Sequence, residues 1–230
     1  MSVRRNTLGE RLETAIPYVR QGDRVIDVGT DHAYLPIALV QREIASAVLA
    51  TDVRPGPLEM ALANIAALGL ERRIALKQND GLAGLEWFSP DTVLLFGMGG
   101  ELIVEILDKA PFVKQPPVRL VLQPMTHAEI LRSWLSRSGF SFLGETISRE
   151  RGKYYQTICA AYTGECRELS TADAYLGPVN RRIRGELFES FRIYTAGQKK
   201  KILEACKKAG PKGQAEAGQV QSILDALEQG

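Results

Sequence analysis

Between residues 24 and 164 the chain alternates short apolar runs with longer stretches in which apolar residues return every three or four positions. The runs at Arg24–Val28, Ala47–Val53, Arg73–Lys77, Thr92–Phe96 and Arg119–Leu122 predict five strands. Helices fall between them. Ala33–Val40 tolerates Pro36 in its first turn. Pro55-Gly56-Pro57 opens a helix with Leu58, Ala61, Leu62, Ile65 and Leu68 on one face and Gly69 as its stop. Glu101–Leu107 makes a third. Thr126-His127-Ala128-Glu129 has the form of a capping box, and the helix behind it places Ile130, Leu131, Trp134 and Leu135 inward before Gly139 ends it. Leu8, Leu12, Ala15, Ile16 and Val19 also keep helical spacing, interrupted by Pro17. Phe140–Ile147 and Tyr154–Tyr162 predict two last strands, with Ser148–Lys153 as a hairpin loop.

Strand alternating with helix predicts a mostly parallel sheet covered on both faces. TVLLF at 92–96, apolar throughout, fits a strand buried on both sides. The closing hairpin predicts an antiparallel strand at one edge. After Gly164 the texture changes. Ile183, Leu187, Phe191, Tyr194, Ile202, Leu203 and Cys206 form one helical stripe. Val220, Ile223, Leu224 and Leu227 form a second, beyond a break at Gly210-Pro211-Lys212-Gly213. The expectation is an α/β domain over residues 1–165 with a C-terminal helical hairpin over 166–230.

Length and composition change this little. The chain has 230 residues, 45% hydrophobic and 24% charged, as expected of one globular domain with an appendage. The start has no apolar core of a signal peptide, and no run approaches the roughly 20 apolar residues that span a bilayer. A cytoplasmic protein with no membrane partner is expected. Three scattered cysteines and two histidines predict neither a disulfide framework nor a metal site. Charge matters more by region. Residues 166–230 carry eleven Lys or Arg against eight Asp or Glu, a surplus of three. The whole chain is at +2, which leaves residues 1–165 at −1. The cations cluster at Arg181, Arg182 and Arg184 and at Lys199, Lys200 and Lys201.

The candidate chemistry lies at the strand ends, where open α/β sheets bind ligands. VIDVGTDHAYLP, residues 25–36, has a single glycine, Gly29, where a dinucleotide fold needs three. Asp31 stands where a diphosphate would be repelled. Asp27 and Asp31 suit a cationic group better, and His32 adjoins them. S-adenosylmethionine fits, with its sulfonium and ammonium and no phosphate. Asp52, ending the second strand, is placed for the two ribose hydroxyls. Asn79, Asp80 and Gly81, ending the third, can reach an adenine amino group. Gly97, Met98 and Gly99, ending the fourth, let backbone approach the reactive end; the alternative for these glycines is merely a tight strand–helix turn.

DVGTDHAYLPIAL at 27–39, FGMGGELI at 96–103, LQPM at 122–125 and ERGKYYQ at 150–156 together resemble the bacterial tRNA (adenine(22)-N1)-methyltransferase family, in the same order over most of residues 8–163. The resemblance implies a Rossmann-like class I methyltransferase sheet, with the tail as a tRNA-gripping appendage. It implies methyl transfer from S-adenosylmethionine to N1 of an adenine in tRNA. Because N1 lies on the Watson–Crick edge, the base must be turned out, against an aromatic such as Tyr154 or Tyr155. Gln123 could hydrogen-bond that base. Asp31, Gln123, Tyr154 and Tyr155 are therefore the catalytic candidates, and no general base is assigned. Arg11, kept from the family's Leu-Ser-x-Arg-Leu, and the six clustered tail cations are candidates for tRNA. Two departures stand out: Met125 replaces a frequent Asn, and Gly9 replaces the serine.

Two other classes remain open at this level: a methyltransferase of another substrate, and a nucleotide- or RNA-binding module without catalysis. An NAD-dependent oxidoreductase is disfavoured by the missing glycines. A monomer or weak homodimer is expected.

Overall fold

The structure, a computed structural model, describes residues 8–209 and 213–229. Most of the break expected at 210–213 lies outside them. Seven strands are present: β1 (Asp23–Val28), β2 (Ala45–Asp52), β3 (Ile74–Gln78), β4 (Thr92–Gly99), β5 (Arg119–Thr126), β6 (Phe140–Glu150) and β7 (Lys153–Tyr162). They form one sheet in the order β3-β2-β1-β4-β5-β7-β6. It is parallel except at one end, where β7 runs antiparallel to both β5 and β6.

The apolar strands alternate between two cores. Val93 and Leu95 of β4 join one, with Ile26 and Val28. Leu94 and Phe96 join the other, with Val25. Each buried Leu or Ile is worth about 1.5–3 kcal/mol, so a strand apolar on both faces is what a doubly covered sheet demands. Helices α4 (Gly100–Asp108) and α5 (Ala128–Arg137) cover the first face, through Ile103, Leu107, Leu131 and Leu135. The second is covered by α2 (Tyr34–Gln41) and α3 (Pro55–Ala66), through Leu35, Leu39, Ala61 and Ile65. Leu62, expected on the inward stripe of α3, is 55% exposed, and Ile130 of α5 is 38% exposed.

Three local expectations are corrected. The amino-terminal helix is only α1 (Glu10–Glu13), followed by a 3-10 turn at Ile16–Tyr18 around Pro17. The capping box does not form: Thr126 is still a strand residue, and His127 caps α5 in the left-handed region (φ 54) with no side-chain bond. The hairpin loop is two residues, Arg151 (φ 49) and Gly152 (φ 80), because Glu150 already pairs with Lys153. Left-handed geometry at both turn positions matches the twist of the strands it joins, so β6 and β7 project beyond the sheet.

Beyond residue 165 there are four helices among the described residues: α6 (Thr171–Leu176), α7 (Pro178–Ile183), α8 (Phe188–Lys208) and α9 (Gln214–Gln229). Helices α8 and α9 pack through Phe188, Phe191, Leu203, Val220, Leu224 and Leu227. Ile183, expected on the first stripe, belongs to α7 and is 64% exposed, since Arg184 (φ 49) breaks the chain before α8. Ile147 and Tyr154 of the sheet pack into this third core. The appendage thus shares a core with the sheet.

Candidate functional site

Strands β1, β2 and β4 end on one edge of the sheet, and a cleft of about 780 Å³ opens there. Its floor is the turn after β1. Three of five residues, Gly29 (φ 73), Asp31 (φ 50) and Ala33 (φ 58), are left-handed, which swings the chain away from the strand line before α2 begins. The amides of Gly29 and Thr30 donate to the Thr51 carbonyl at 2.8 and 2.9 Å, and Asn64 of α3 donates to the His32 carbonyl at 3.0 Å. A side chain at Gly29 would be strained at its φ of 73 and would push aside the Met98 methyl, so glycine suits this floor.

Asp31 and Asp52 line the cleft. Asp52 is 5% exposed; its Oδ1 accepts the Arg54 amide at 2.9 Å, and the Asn79 amide donates to its carbonyl at 3.0 Å. The Asn79 side chain donates to the Gly81 and Ala83 carbonyls, both at 3.1 Å, and so shapes the loop that carries Asp80 and Gly81 to the cleft. Gly97 and Met98 also line it. Their segment is not a tight strand–helix turn, the alternative left open for these glycines. Met98 pairs with Pro124 and Gly99 with Thr126, so β4 runs on through a bulge at Gly97 (φ 78). Gly100, opening α4, lies so close to Thr126 and His127 that a side chain there would strike their backbone.

Asp27 does not reach the cleft. It is 4% exposed, and desolvation, with the Asp52 charge nearby, pushes its pKa up to about 6. His32 stacks on Tyr34, ring centroids 5.3 Å apart, outside the cleft lining, with its Nε2 3.7 Å from Asp31. Gly99 is likewise outside it.

The structure separates the expected catalytic residues. Tyr155 lines the cleft, with the Arg11 guanidinium 5.7 Å from its ring centre. Tyr154, on the other side of β7, packs against Phe191 and Tyr194 of α8 at 5.7 and 5.1 Å. Gln123 is fully buried. Its Oε1 accepts Arg11 Nη1 at 3.0 Å, and its Nε2 donates to the Arg11 carbonyl at 2.9 Å and to Thr157 Oγ1 at 3.0 Å. It therefore has no amide group free for a base. Arg11 itself lines the cleft.

Sequence reasoning missed the far wall: Met125, Glu150, Arg151 and Lys153. ERGKYYQ was visible as a motif, but its reach over the cleft follows from the two-residue turn. Glu150 Oε2 accepts the Arg11 amide at 3.1 Å. It thereby caps α1, whose N-cap is Gly9 and has no side chain to do so. Overall the lining holds Asp31, Asp52, Asp80 and Glu150 against Arg11, Arg54, Arg151 and Lys153. Such a balance suits a ligand carrying both signs.

The tail cations are mostly paired. Arg181 meets Asp173 at 2.5 Å, Arg184 meets Glu189 at 3.2 Å, and Lys200 meets Glu228 at 3.1 Å. Lys199 lies 4.6 Å from the Tyr175 ring centre. Arg182 and Lys201 are exposed. Among the described residues no His, Cys, Asp and Glu cluster could hold a metal, and no helix is long and apolar enough to cross a membrane.

Residues 8–158 match a family model described as a methyltransferase domain. The tRNA (adenine(22)-N(1))-methyltransferase of Bacillus subtilis is 35% identical over 153 residues, which span 66% of this chain and 64% of that protein. The crystal structure of the B. subtilis m1A22 tRNA methyltransferase superposes with a TM-score of 0.86 at 28% identity, covering 97% of this chain and 98% of that one. A Streptococcus pneumoniae candidate tRNA (m1A22) methyltransferase, solved in complex with S-adenosyl-L-methionine, is 32% identical, with a TM-score of 0.81 and coverage of 97% and 99%.

Proposed function

Since the chain belongs to the methyltransferase-domain family, and within it to the tRNA (adenine(22)-N1)-methyltransferases, we propose that it methylates N1 of adenine 22 in tRNA with S-adenosylmethionine as donor. The observation that carries this reading is the nearly buried Asp52 carboxylate on a cleft floored by the single-glycine turn at Gly29.

The residues present fit this donor. Asp52 has carboxylate oxygens for a pair of ribose hydroxyls. Asp80 and the backbone of Gly81 offer acceptors and donors to an adenine edge. Asp31 offers a carboxylate to an ammonium, and the open floor at Gly29 leaves room for the chain between. When bound, S-adenosylmethionine supplies a methyl group on a sulfonium, already an excellent donor.

The chain's own residues then have to align and shield. Adenine N1 attacks with a lone pair and loses no proton, so no general base is required. Holding the reacting atoms in line is worth about 7–11 kcal/mol. Tyr155 offers an aromatic face to the extruded base, and Met125 an apolar one. The methylated base is cationic, and Glu150, on the same wall, places negative charge near it. Residues 1–165 carry this chemistry. Residues 166–230 grip the tRNA backbone through cations on α7 and α8, Arg182 and Lys201 foremost.

Incubation with unmodified tRNA and labelled cofactor, followed by mapping of the modified nucleotide, tests the proposal. Label at N1 of adenine 22 is expected. Label elsewhere, or none, overturns it.

A further inference from the structure

Leu12 of helix α1 packs half-buried against the second core and helps to seat the helix, but that packing does not fix where the Arg11 side chain points. Polar contacts do. Gln123 grips the residue from both sides, accepting from its guanidinium at 3.0 Å and donating to its carbonyl at 2.9 Å. Thr14 Oγ1 meets Thr157 Oγ1 at 2.6 Å just behind, and Glu150 accepts the Arg11 amide at 3.1 Å. The interior amide, braced by its bond to Thr157, thus holds both the guanidinium and the carbonyl of an arginine 112 residues away.

That arginine lies within the cleft. Its Nη1 is 3.8 Å from where a Cβ on Gly97 would stand, at the end of the strand beside β1. Arg151 and Lys153, by contrast, are exposed on the outer wall, where an approaching polyanion meets them first. Asp31 lines the same cleft from the β1 turn. A carboxylate and a guanidinium are complementary to an ammonium and a carboxylate on one carbon. With one guanidinium nitrogen engaged by Gln123, the remaining N–H donors still match a carboxylate fork.

We infer that Arg11 binds the α-carboxylate of the donor's amino-acid group, and that Gln123 is a positioning residue that acts only through Arg11. The inference rests on the reading of the cleft as an S-adenosylmethionine site.

Calorimetry with two ligands tests it: S-adenosylhomocysteine, which has the carboxylate, and 5′-methylthioadenosine, which lacks it. Arg11→Ala is expected to weaken S-adenosylhomocysteine binding about tenfold or more and to change 5′-methylthioadenosine binding by no more than about twofold. Arg11→Lys should recover part of the loss. Gln123→Ala should reproduce it without touching the ligand, and adding it to Arg11→Ala should cost nothing more. A Gln123 serving only the fold would instead add its effect, which would refute the positioning role. If Gln123→Ala does not fold, Gln123→Asn, one methylene shorter, takes its place. Equal weakening of both ligands by Arg11→Ala overturns the assignment. So does unchanged S-adenosylhomocysteine binding with reduced tRNA binding, which would make the anion a phosphate. Failure of the unsubstituted protein to bind either ligand strikes the cofactor reading itself.

Discussion

Arg132 of α5 donates its Nε to Glu145 Oε1 of β6 at 2.6 Å, and neither side chain reaches solvent. The second Glu145 oxygen accepts the amides of Val179 and Asn180 at 2.8 and 3.2 Å, the start of α7. Arg132 also donates to the Ala174 carbonyl at 3.0 Å and to Gln156 at 2.7 Å. One buried ion pair therefore ties the sheet to both short helices at the root of the appendage. Arg132→Met would leave the carboxylate buried without its partner, at a cost of about 3–5 kcal/mol. Urea unfolding should show that loss; a change below about 1 kcal/mol would mean the pair is replaceable.

Asp27 gives a pH dependence of known sign. Its folded pKa, about 6, lies above the ordinary 3.8. Below about pH 4 the group is protonated in both states and has no effect. Between about pH 4 and pH 6 the unfolded chain has released the proton and the folded protein has not, so stability falls as pH rises. Above that window the penalty is constant, about 3 kcal/mol. Asp27→Asn should flatten this part of the stability profile, read from denaturation midpoints at several pH values.

Asp52→Ala removes the acceptor assigned to the ribose. S-adenosylhomocysteine binding should weaken by about 1–3 kcal/mol, with little change in melting temperature. Unchanged affinity would place the ribose elsewhere.

Adjacent tyrosines should behave oppositely. Tyr155→Ala is expected to lower kcat/KM for tRNA about tenfold or more while the melting temperature stays close to that of the parent protein. Tyr154→Ala should destabilise by about 2 kcal/mol through lost packing on Phe191 and Tyr194. A thermal melt beside an activity assay separates the two. A reversed pattern would mean that the cleft has been misread.

Charge reversal at Arg182 and Lys201 should weaken tRNA binding and reduce its salt dependence by about one phosphate contact each. Arg181→Glu should instead loosen α7, because it breaks the pair with Asp173. Filter binding at several salt concentrations measures the first, and a melt the second.

The strands and several of the strand ends that line the cleft were legible because both are local. Apolar runs mark buried strands, and a strand end with an acid and a glycine announces itself within a few residues. The rest depended on distant partners. Gln123 resembles a site residue at a strand end until Arg11 is seen to occupy it. Tyr154 and Tyr155 cannot be told apart by composition, since strand periodicity sends neighbours to opposite faces without saying which face is which. Thr126 could not cap α5 while β5 still held it. The long hairpin looked like a loop because its tip is polar, as any projection into solvent must be.

Those two tyrosines have a mechanical consequence. Tyr154 is clamped under α8 and Tyr155 forms the cleft wall, with a single peptide bond between them. A strand cannot tilt one residue without tilting the next. A load placed on the helical hairpin by a bulky ligand is therefore borne by the same beam that walls the cleft, with no intervening loop to absorb it.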